Sequence, residues 1–379
     1  MTDFRSLNIL AINWQDIKNP YGGGAEVHFH EIFKRVTALG HNVTLLCCAY
    51  NGAMQEQEID GIKIIRRGSR NLFNYCVPAE YRKLRRQQHF DIVIDDINKI
   101  PFCTPLFVKE PIVAILHHFF GKSIYLETSL IPASYVYLSE KLVPIIYKKI
   151  PFAVVSESTR QELLQQSVRS QIELVPNAVD PALYGYKPQL RSKKPLIGYL
   201  GRVKKYKSVD QLLLAMPAVL SAVPDARLII IGDGDYKKNL QDVASTLGIQ
   251  EKVHFTGHVS HAEKVKLLNS LWLAVNPSPK EGWGLTVIEA NACGVPVIAA
   301  DSPGLRDSVI NEETGILYPY GNIQLLIKQI IKLLKSQEKI SKFSKNSLNW
   351  VNNFSWDESA TKIIDIIKAA ISHKIRRDL

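Results

Sequence analysis

The sequence predicts an α/β protein built from two doubly wound, Rossmann-like domains that face each other across a cleft. Three observations lead there. Short, continuously apolar runs alternate with amphipathic stretches along the chain, the pattern of parallel sheets covered by helices on both faces. The series restarts near residue 195, after VDPALYGYKPQLRSKK (179–194), a stretch with prolines, tyrosines and a basic cluster but no clear period. The chain has 379 residues, enough for two domains at roughly 100–200 residues each. We expect an N-terminal domain over 1–185, a second domain over 186–355 and a closing helix over 356–379 that crosses back to the first domain.

In chain order, the strands of the first half are LNILAIN (7–13), NVTLLCCA (42–49), IKIIRRG (62–68), FDIVIDD (90–96), PIVAILHH (111–118), PFAVVSES (151–158) and IELVPNA (172–178). The helix AEVHFHEIFKRVTALG (25–40) follows the first of them. The second series comprises PLIGYLG (195–201), ARLIIIGDG (226–234), KVHFTGHV (252–259), LWLAVNPS (271–278) and VPVIAADS (295–302), with SVDQLLLAMPAVLSAV (208–223) as its first helix. The stretch 179–194 reads as the linker. In the closing helix, Ser355 and Glu358 have the spacing of a capping box, in which each side chain takes a free backbone N–H at the helix start.

Composition is that of a folded chain, 46% hydrophobic and 22% charged, without repetitive tracts. The net charge of +11 suits an anionic partner: a phosphorylated substrate, an acidic membrane surface or nucleic acid. No nucleic-acid-binding motif accompanies the charge. Five scattered cysteines without a C-x-x-C pair read as reduced thiols of a cytosolic protein. The first apolar run lacks a basic leader, and no run approaches the ~20 apolar residues of a spanning helix. The expected location is the cytoplasm, with YRKLRRQQ (81–88) and YKKIPF (147–152) as basic patches for the inner membrane face, or equally as solvated helix surfaces.

In open α/β sheets, ligands bind at the carboxyl ends of strands, and the chemically suggestive residues follow strands. Gly22, Gly23 and Gly24 precede a helix, where a lean backbone and the positive helix end suit a phosphate, or where a flexible turn is needed. Arg202 and Lys207 follow the first strand of the second domain, a forked donor and a point charge that together suit a diphosphate. Asp233 and Asp235 form a D-x-D pattern, which we read as turn residues and not as metal ligands. In PKEGWGLTVIEANACG (279–294), Glu281 lies in a glycine-lean loop with Gly282 and Gly284, and Glu289 lies about one turn into the helix that Leu285 and Thr286 open. Carboxylates suit sugar hydroxyls, Glu281 a pyranose and Glu289 a ribose diol. The alternative readings are a solvated loop acid and an exposed helix position. His117 and His118 end a strand, where an imidazole can meet a phosphate or a sugar hydroxyl.

GGGAEVH, AVVSESTRQELL, VPNAVD, GYLGRVKKYKSVDQLLLA, IIGDGD, VHFTGHV and PKEGWGLTVIEANACGVPVIAADSPGLRDSV occur in that order, and the chain resembles the retaining glycosyltransferases of family 4, with the GT-B fold. The pair Glu281 and Glu289, an E-x7-E element, is the most specific piece of that resemblance. The resemblance implies hexose transfer from a UDP- or GDP-sugar, with retention, to a glycan or lipid-linked acceptor in cell-surface polysaccharide synthesis. It implies no cofactor and no metal. It gives Gly22–Gly24 to the donor phosphate, His117 to the transferred sugar and Arg202 with Lys207 to the diphosphate. Glu281 falls to the sugar and Glu289 to the ribose, while Gly282, Gly284, Leu285, Thr286 and Asp233 border the donor. Ser208 and Pro303 depart from the family pattern, each standing where a glycine is common. A sugar-nucleotide epimerase or a phosphorylase on the same scaffold, and a nucleic-acid-binding protein, are the competing readings.

Overall fold

The apolar runs form strands, and the strands assemble into two sheets. The computed structural model describes residues 6–378. The chain divides into two units: Met1–Lys122, Leu130–Asn177 and Trp356–Leu379 make the first, and Ser123–Ser129 with Ala178–Ser355 the second.

The first unit runs β1 (Asn8–Ile12), α1 (Gly24–Ala38), β2 (Asn42–Cys48), β3 (Glu56–Ile59), β4 (Ile62–Arg67), α2 (Phe73–Gln87), β5 (Ile92–Ile97), β6 (Ile112–Leu116), α3 (Leu130–Glu140), α4 (Val143–Ile146), β7 (Phe152–Val154), α5 (Glu157–Gln165) and β8 (Ile172–Leu174). Its eight-stranded sheet has the order β3-β4-β2-β1-β5-β6-β7-β8. All pairs are parallel except β3–β4. Strands β5 and β6 are buried at every position; β6 accordingly reads as an unbroken apolar run, while β5 carries two buried acids, Asp95 and Asp96, at its carboxyl end. Helix α1 buries Phe29, Ile32, Phe33 and Val36, the i, i+3, i+4, i+7 stripe of a helix lying on a sheet.

The second unit runs α6 (Pro181–Tyr184), β9 (Leu196–Leu200), α7 (Asp210–Ala222), β10 (Arg227–Ile231), α8 (Lys237–Thr246), β11 (Val253–Gly257), α9 (His261–Ser270), β12 (Leu273–Asn276), α10 (Leu285–Ala292), β13 (Val297–Ala300), α11 (Leu305–Ser308), β14 (Gly315–Tyr318), α12 (Ile323–Leu334) and α13 (Gln337–Val351). Its six strands, all parallel, have the order β11-β10-β9-β12-β13-β14. The chain then returns to the first unit as α14 (Trp356–Asp378), as expected of the closing helix. There Asp357 pairs with Arg35 of α1 at 2.6 Å, the Ser359 hydroxyl donates to the Pro176 carbonyl at 2.9 Å, and Ile363 and Ile367 are fully buried.

Three features differ from the sequence reading. Strand β3 went unread because EQEI is polar and half exposed, as an edge strand can be. It forms a hairpin with β4 through Asp60 and Gly61, both at positive φ (49° and 79°), the two-residue turn that an Asp-Gly pair favours. Strand β14 is short and also lies at an edge. The supposed linker is not structureless: it contains α6, and Tyr184 is buried within the second unit.

Candidate functional site

In each unit the sheet order turns at its first strand. β1 lies between β2 and β5, and β9 between β10 and β12. The carboxyl ends flanking that turn are where open α/β sheets place ligands, and the candidate residues gather there.

In the second unit, the loop after β9 and the loop after β10 are laced together. The Val203 N–H donates to the Asp233 carbonyl at 2.8 Å, and the Tyr236 N–H to the Val203 carbonyl at 3.2 Å. A Cβ at Gly232 would stand 2.0 Å from the Gly201 carbonyl oxygen, and one at Gly234 2.1 Å from that of Val203, so only glycine allows this approach. Asp233 accepts the Gly234 amide at 2.9 Å and lies 3.9 Å from Lys237, while Asp235 pairs with Lys204 at 2.6 Å. Each acid thus has a lysine beside it, at hydrogen-bond distance only for Asp235.

Lys207 reaches across to the loop after β12, where its ammonium donates to Glu281 at 2.5 Å. Both side chains are largely buried, 12% and 17% exposed. Burial alone would lower the Lys207 pKa, but Glu281, Tyr206 and the hydrogen bond outweigh it and hold the pKa above its usual value. The two residues assigned to separate ligand groups are therefore each other's partner in this state. Arg202 is exposed, and its guanidinium meets the Tyr206 hydroxyl at 3.4 Å. Ser208 sits in the left-handed region (φ 54°), which accounts physically for glycine being common there; its hydroxyl meets that of Tyr320 at 3.0 Å. At the other departure, Pro303 is followed by Gly304, which retains the positive φ (82°) under the Glu281 backbone.

Gly282 leads to Gly284, which occupies the cap position of α10 at φ 93°, where a Cβ would stand 2.7 Å from the Ser308 hydroxyl. Helices α5, α9, α12 and α13 each have a Ser or Asn side chain bonded to their first turn; α10 has none. The N–H groups of Leu285 and Thr286 open this helix three and four residues after Gly282, and such an end favours an anion. Glu289 is not an exposed helix position but 7% exposed. Its carboxylate accepts from Lys264 at 2.7 Å and from the Tyr184 hydroxyl at 2.5 Å. Sequence reasoning missed both partners: Tyr184 stood in the supposed linker, and Lys264 belongs to α9 with no local motif to mark it.

In the first unit the glycine triplet is largely engaged from within. The Gly22 N–H donates to the Asn19 carbonyl at 2.9 Å, and the Gly23 N–H to Glu26 at 2.6 Å. Glu26 also accepts from Asn98 at 3.1 Å, and burial raises its pKa despite the backbone hydrogen bonds. Around Gly24 the space is open: a Cβ added there would have no atom within 4 Å. The glycine loop expected to approach a phosphate thus already has two of its amides bonded within the protein, that of Gly22 to Asn19 and that of Gly23 to Glu26.

His117 emerges at the end of β6, buried, with Nε2 2.8 Å from Asp96 of β5. Asn13, past the end of β1, donates to the other Asp96 oxygen at 2.8 Å. Burial lowers the His117 pKa, yet the charge and hydrogen bond of Asp96, with Glu26 behind, raise it overall. The neighbouring His28 ring lies 5.2 Å away; burial first and the His117 charge second push its pKa down to about 3. His28 is therefore neutral, and its Nε2–H donates to the Val175 carbonyl at 2.9 Å. His118 points elsewhere, its ring 4.5 Å from that of Phe120. The letters of Asp96, Glu26 and His28 stood inside stretches singled out in the sequence, but nothing in one dimension joins β1, α1, β5 and β6.

The two basic patches lose their apolar component. Tyr81, Leu84, Tyr147 and Phe152 are all core residues. What remains exposed at 82–86 is charge, with Arg85 paired to Glu110 at 2.6 Å.

Comparison with known proteins agrees with this layout. Residues 22–183 match the family model described as Glycosyltransferase Family 4, and residues 186–350 the one described as Glycosyl transferases group 1. Relatives include a D-inositol 3-phosphate glycosyltransferase of Segniliparus rotundus, 28% identical over 53% of this chain and 47% of the relative. Another is a GDP-mannose-dependent alpha-(1-6)-phosphatidylinositol monomannoside mannosyltransferase of Mycolicibacterium smegmatis, 27% identical over 52% and 56%. The chain thus spans about half the length of the curated relatives it matches. Among solved structures, a sucrose-phosphate synthase from Thermosynechococcus elongatus superimposes with TM-score 0.83 at 19% identity, covering 97% of this chain and 100% of that one. HepE of Anabaena, solved with UDP and glucose, gives TM-score 0.76 at 18% identity over 96% and 100%. At those identities the likeness is one of fold.

Proposed function

Since the chain is of the glycosyltransferase family 4 type, with a family 4 domain followed by a group 1 domain on the GT-B fold, we propose that it transfers a hexose from a UDP- or GDP-sugar, with retention, to a carbohydrate or lipid-linked acceptor. The observation that carries this reading is the assembly at the carboxyl end of the second sheet. Lys207 and Glu281 join the loops after β9 and β12, and the second of those loops opens α10 without a capping side chain.

That assembly can do the following. A nucleoside diphosphate brings negative charge, for which Lys207, Arg202 and the Leu285 and Thr286 N–H groups are the available donors. Drawing Lys207 toward the diphosphate loosens its hold on Glu281, whose carboxylate then turns to sugar hydroxyls. Glu289, held rigid by Lys264 and Tyr184, offers its second oxygen to the ribose. When the bond between the anomeric carbon and the β-phosphate oxygen breaks, charge grows on the departing diphosphate and the same donors stabilise it. The acceptor oxygen bonds to the anomeric carbon on the face the phosphate leaves, and its proton passes to a phosphate oxygen. In this reading the cations fill the part a metal would otherwise play. In the first unit His117, oriented by Asp96, holds a sugar hydroxyl. The relatives that act on GDP-mannose and the neighbour solved with UDP support the choice of donors.

The test is a donor panel of UDP-glucose, UDP-galactose, UDP-N-acetylglucosamine and GDP-mannose, with and without EDTA, followed by thermal shift and by release of the nucleotide. One donor is expected to stabilise the protein with or without EDTA. Glu281→Ala is expected to abolish transfer; near-wild-type transfer in that variant refutes the sugar assignment. Conversion of the donor to an epimeric sugar nucleotide, or dependence on free phosphate, indicates the epimerase or phosphorylase reading instead.

A further inference from the structure

Helix α3 has its amphipathy inverted. Leu130, Ile131, Tyr135 and Leu138, spaced i, i+1, i+5 and i+8, share one arc of the helix, and that arc faces solvent with exposures of 71, 84, 43 and 63%. The opposite side buries Ala133 and Val136 but also Ser139 and Glu140. Glu140 is occupied there, accepting the Phe120 and Gly121 amides at 2.6 and 2.9 Å. The exposed apolar strip continues through Leu142 (43%) and Ile145 (71%). It is anchored to α2 by Tyr135, whose hydroxyl meets Asn74 at 3.0 Å and the Tyr75 hydroxyl at 3.1 Å. Between residues 130 and 150 the charged residues are Glu140, Lys141, Lys148 and Lys149. The single carboxylate is buried and the three lysines are exposed.

We propose that the solvent face running from Leu130 to Lys149 is an interfacial docking surface that seats in an anionic lipid bilayer. An apolar arc bordered by cations, with no exposed carboxylate, matches acyl chains beneath anionic headgroups. Large apolar side chains exposed together in one short segment mark a surface that meets a partner or a membrane. A second copy of this chain would bring like charges together across a twofold interface, so the lysines argue against it. Among the described residues no helix is long and apolar enough to cross a membrane, so the contact lies on the surface. The inference deepens the reading above, in which the acceptor is lipid-linked; it keeps Lys148 and Lys149 of the basic patch at 147–152, leaves out the patch on α2, and adds the exposed apolar residues of α3 and α4.

The experiment is flotation of the full chain with vesicles of phosphatidylglycerol and phosphatidylcholine, and with vesicles of phosphatidylcholine alone. Thermal shift by the donor identified above serves as the folding control. Wild type is expected to float with the anionic vesicles and to release at high salt. Lys148→Glu/Lys149→Glu and, separately, Ile131→Asp/Leu138→Asp are expected to weaken binding at least about tenfold while leaving the donor response unchanged. Undiminished flotation in both variants overturns the proposal. So does donor-responsive wild-type protein that ignores anionic vesicles, or a wild-type dimer that the same variants disperse without any vesicle binding. Vesicle binding without any donor response would instead sink the transferase reading and leave the surface standing.

Discussion

Lys207 and Glu281 share one hydrogen bond in a largely dry setting, and Glu281 keeps Lys207 charged against its burial. Removing one partner leaves the other charge unpaired, typically a loss of roughly 3–5 kcal/mol where burial is complete. Some of that is recovered here because both side chains retain water contact. Lys207→Ala is therefore expected to lower the melting temperature and, as a lost charge-stabilising donor, to cut turnover about 100–1000-fold. Steady-state rates with the preferred donor check this, and a change confined to KM would contradict it. In the first unit, Asp96→Asn is expected to bring the His117 pKa down, since Asp96 supplies the charge and the hydrogen bond that outweigh burial; a histidine titration by NMR reads the direction. His28 sets a pH dependence. Its folded pKa of about 3 lies below the ordinary histidine value of 6.5, so the unfolded chain binds the proton more tightly between those limits. The stability linked to His28 is present above pH 6.5 and is lost as the pH falls toward 3. His28→Gln is expected to flatten the fall of melting temperature from pH 6.5 to pH 4. At this scale the sequence was informative about which letters mattered and silent about their pairing. Lys207 and Glu281 were read as grips on two parts of one ligand; that they also grip each other depends on two loops 74 positions apart.

The helix starts carry the next level. Gly284 combines a positive φ with a Cβ position 2.7 Å from Ser308, so Gly284→Ala meets both backbone strain and a clash, about 1–3 kcal/mol for the strained conformation. Ser308→Ala relieves only the clash. The double variant is therefore expected to recover part of the lost melting temperature and little of the donor affinity, because α10 would still open at the wrong angle. Full recovery would mean that the backbone conformation at Gly284 is unimportant. The parallel strands were legible because burial on both faces removes polar letters, as in β6, and β5 departs from that only at the buried pair Asp95 and Asp96. β3 was hidden because an edge strand keeps its polar letters, although the Asp60-Gly61 turn that pairs it was in plain sight. The glycine triplet before α1 shows a different gap. The residues were found, but Glu26 three positions after Gly23 was not read as the acceptor that would take its amide.

For the whole molecule, the chain's return is the decisive feature. Helix α14 follows the second unit in sequence yet belongs to the first, burying Ile363 and Ile367 there. Deleting residues 356–379 is expected to lower the melting transition of the first unit and spare the second, since α13 ends the second unit's own chain. Hydrogen exchange resolved by peptide distinguishes the two, and equal loosening of both would contradict the division. The helix itself was legible in the sequence, and its destination was expected; the contacts that fix it, Asp357 to Arg35 and Ser359 to Pro176, were not.

In the proposed function, the carboxyl end of the second sheet grips a nucleoside-diphosphate sugar through Lys207 and Glu281. Calorimetric titration of wild type and Lys207→Ala with the four sugar nucleotides in EDTA tests it most directly. One donor is expected to bind wild type saturably and the variant at least about tenfold more weakly, the loss of one charge-assisted contact. Equal affinity in both proteins, or a folded wild type that binds none of the four, would contradict it.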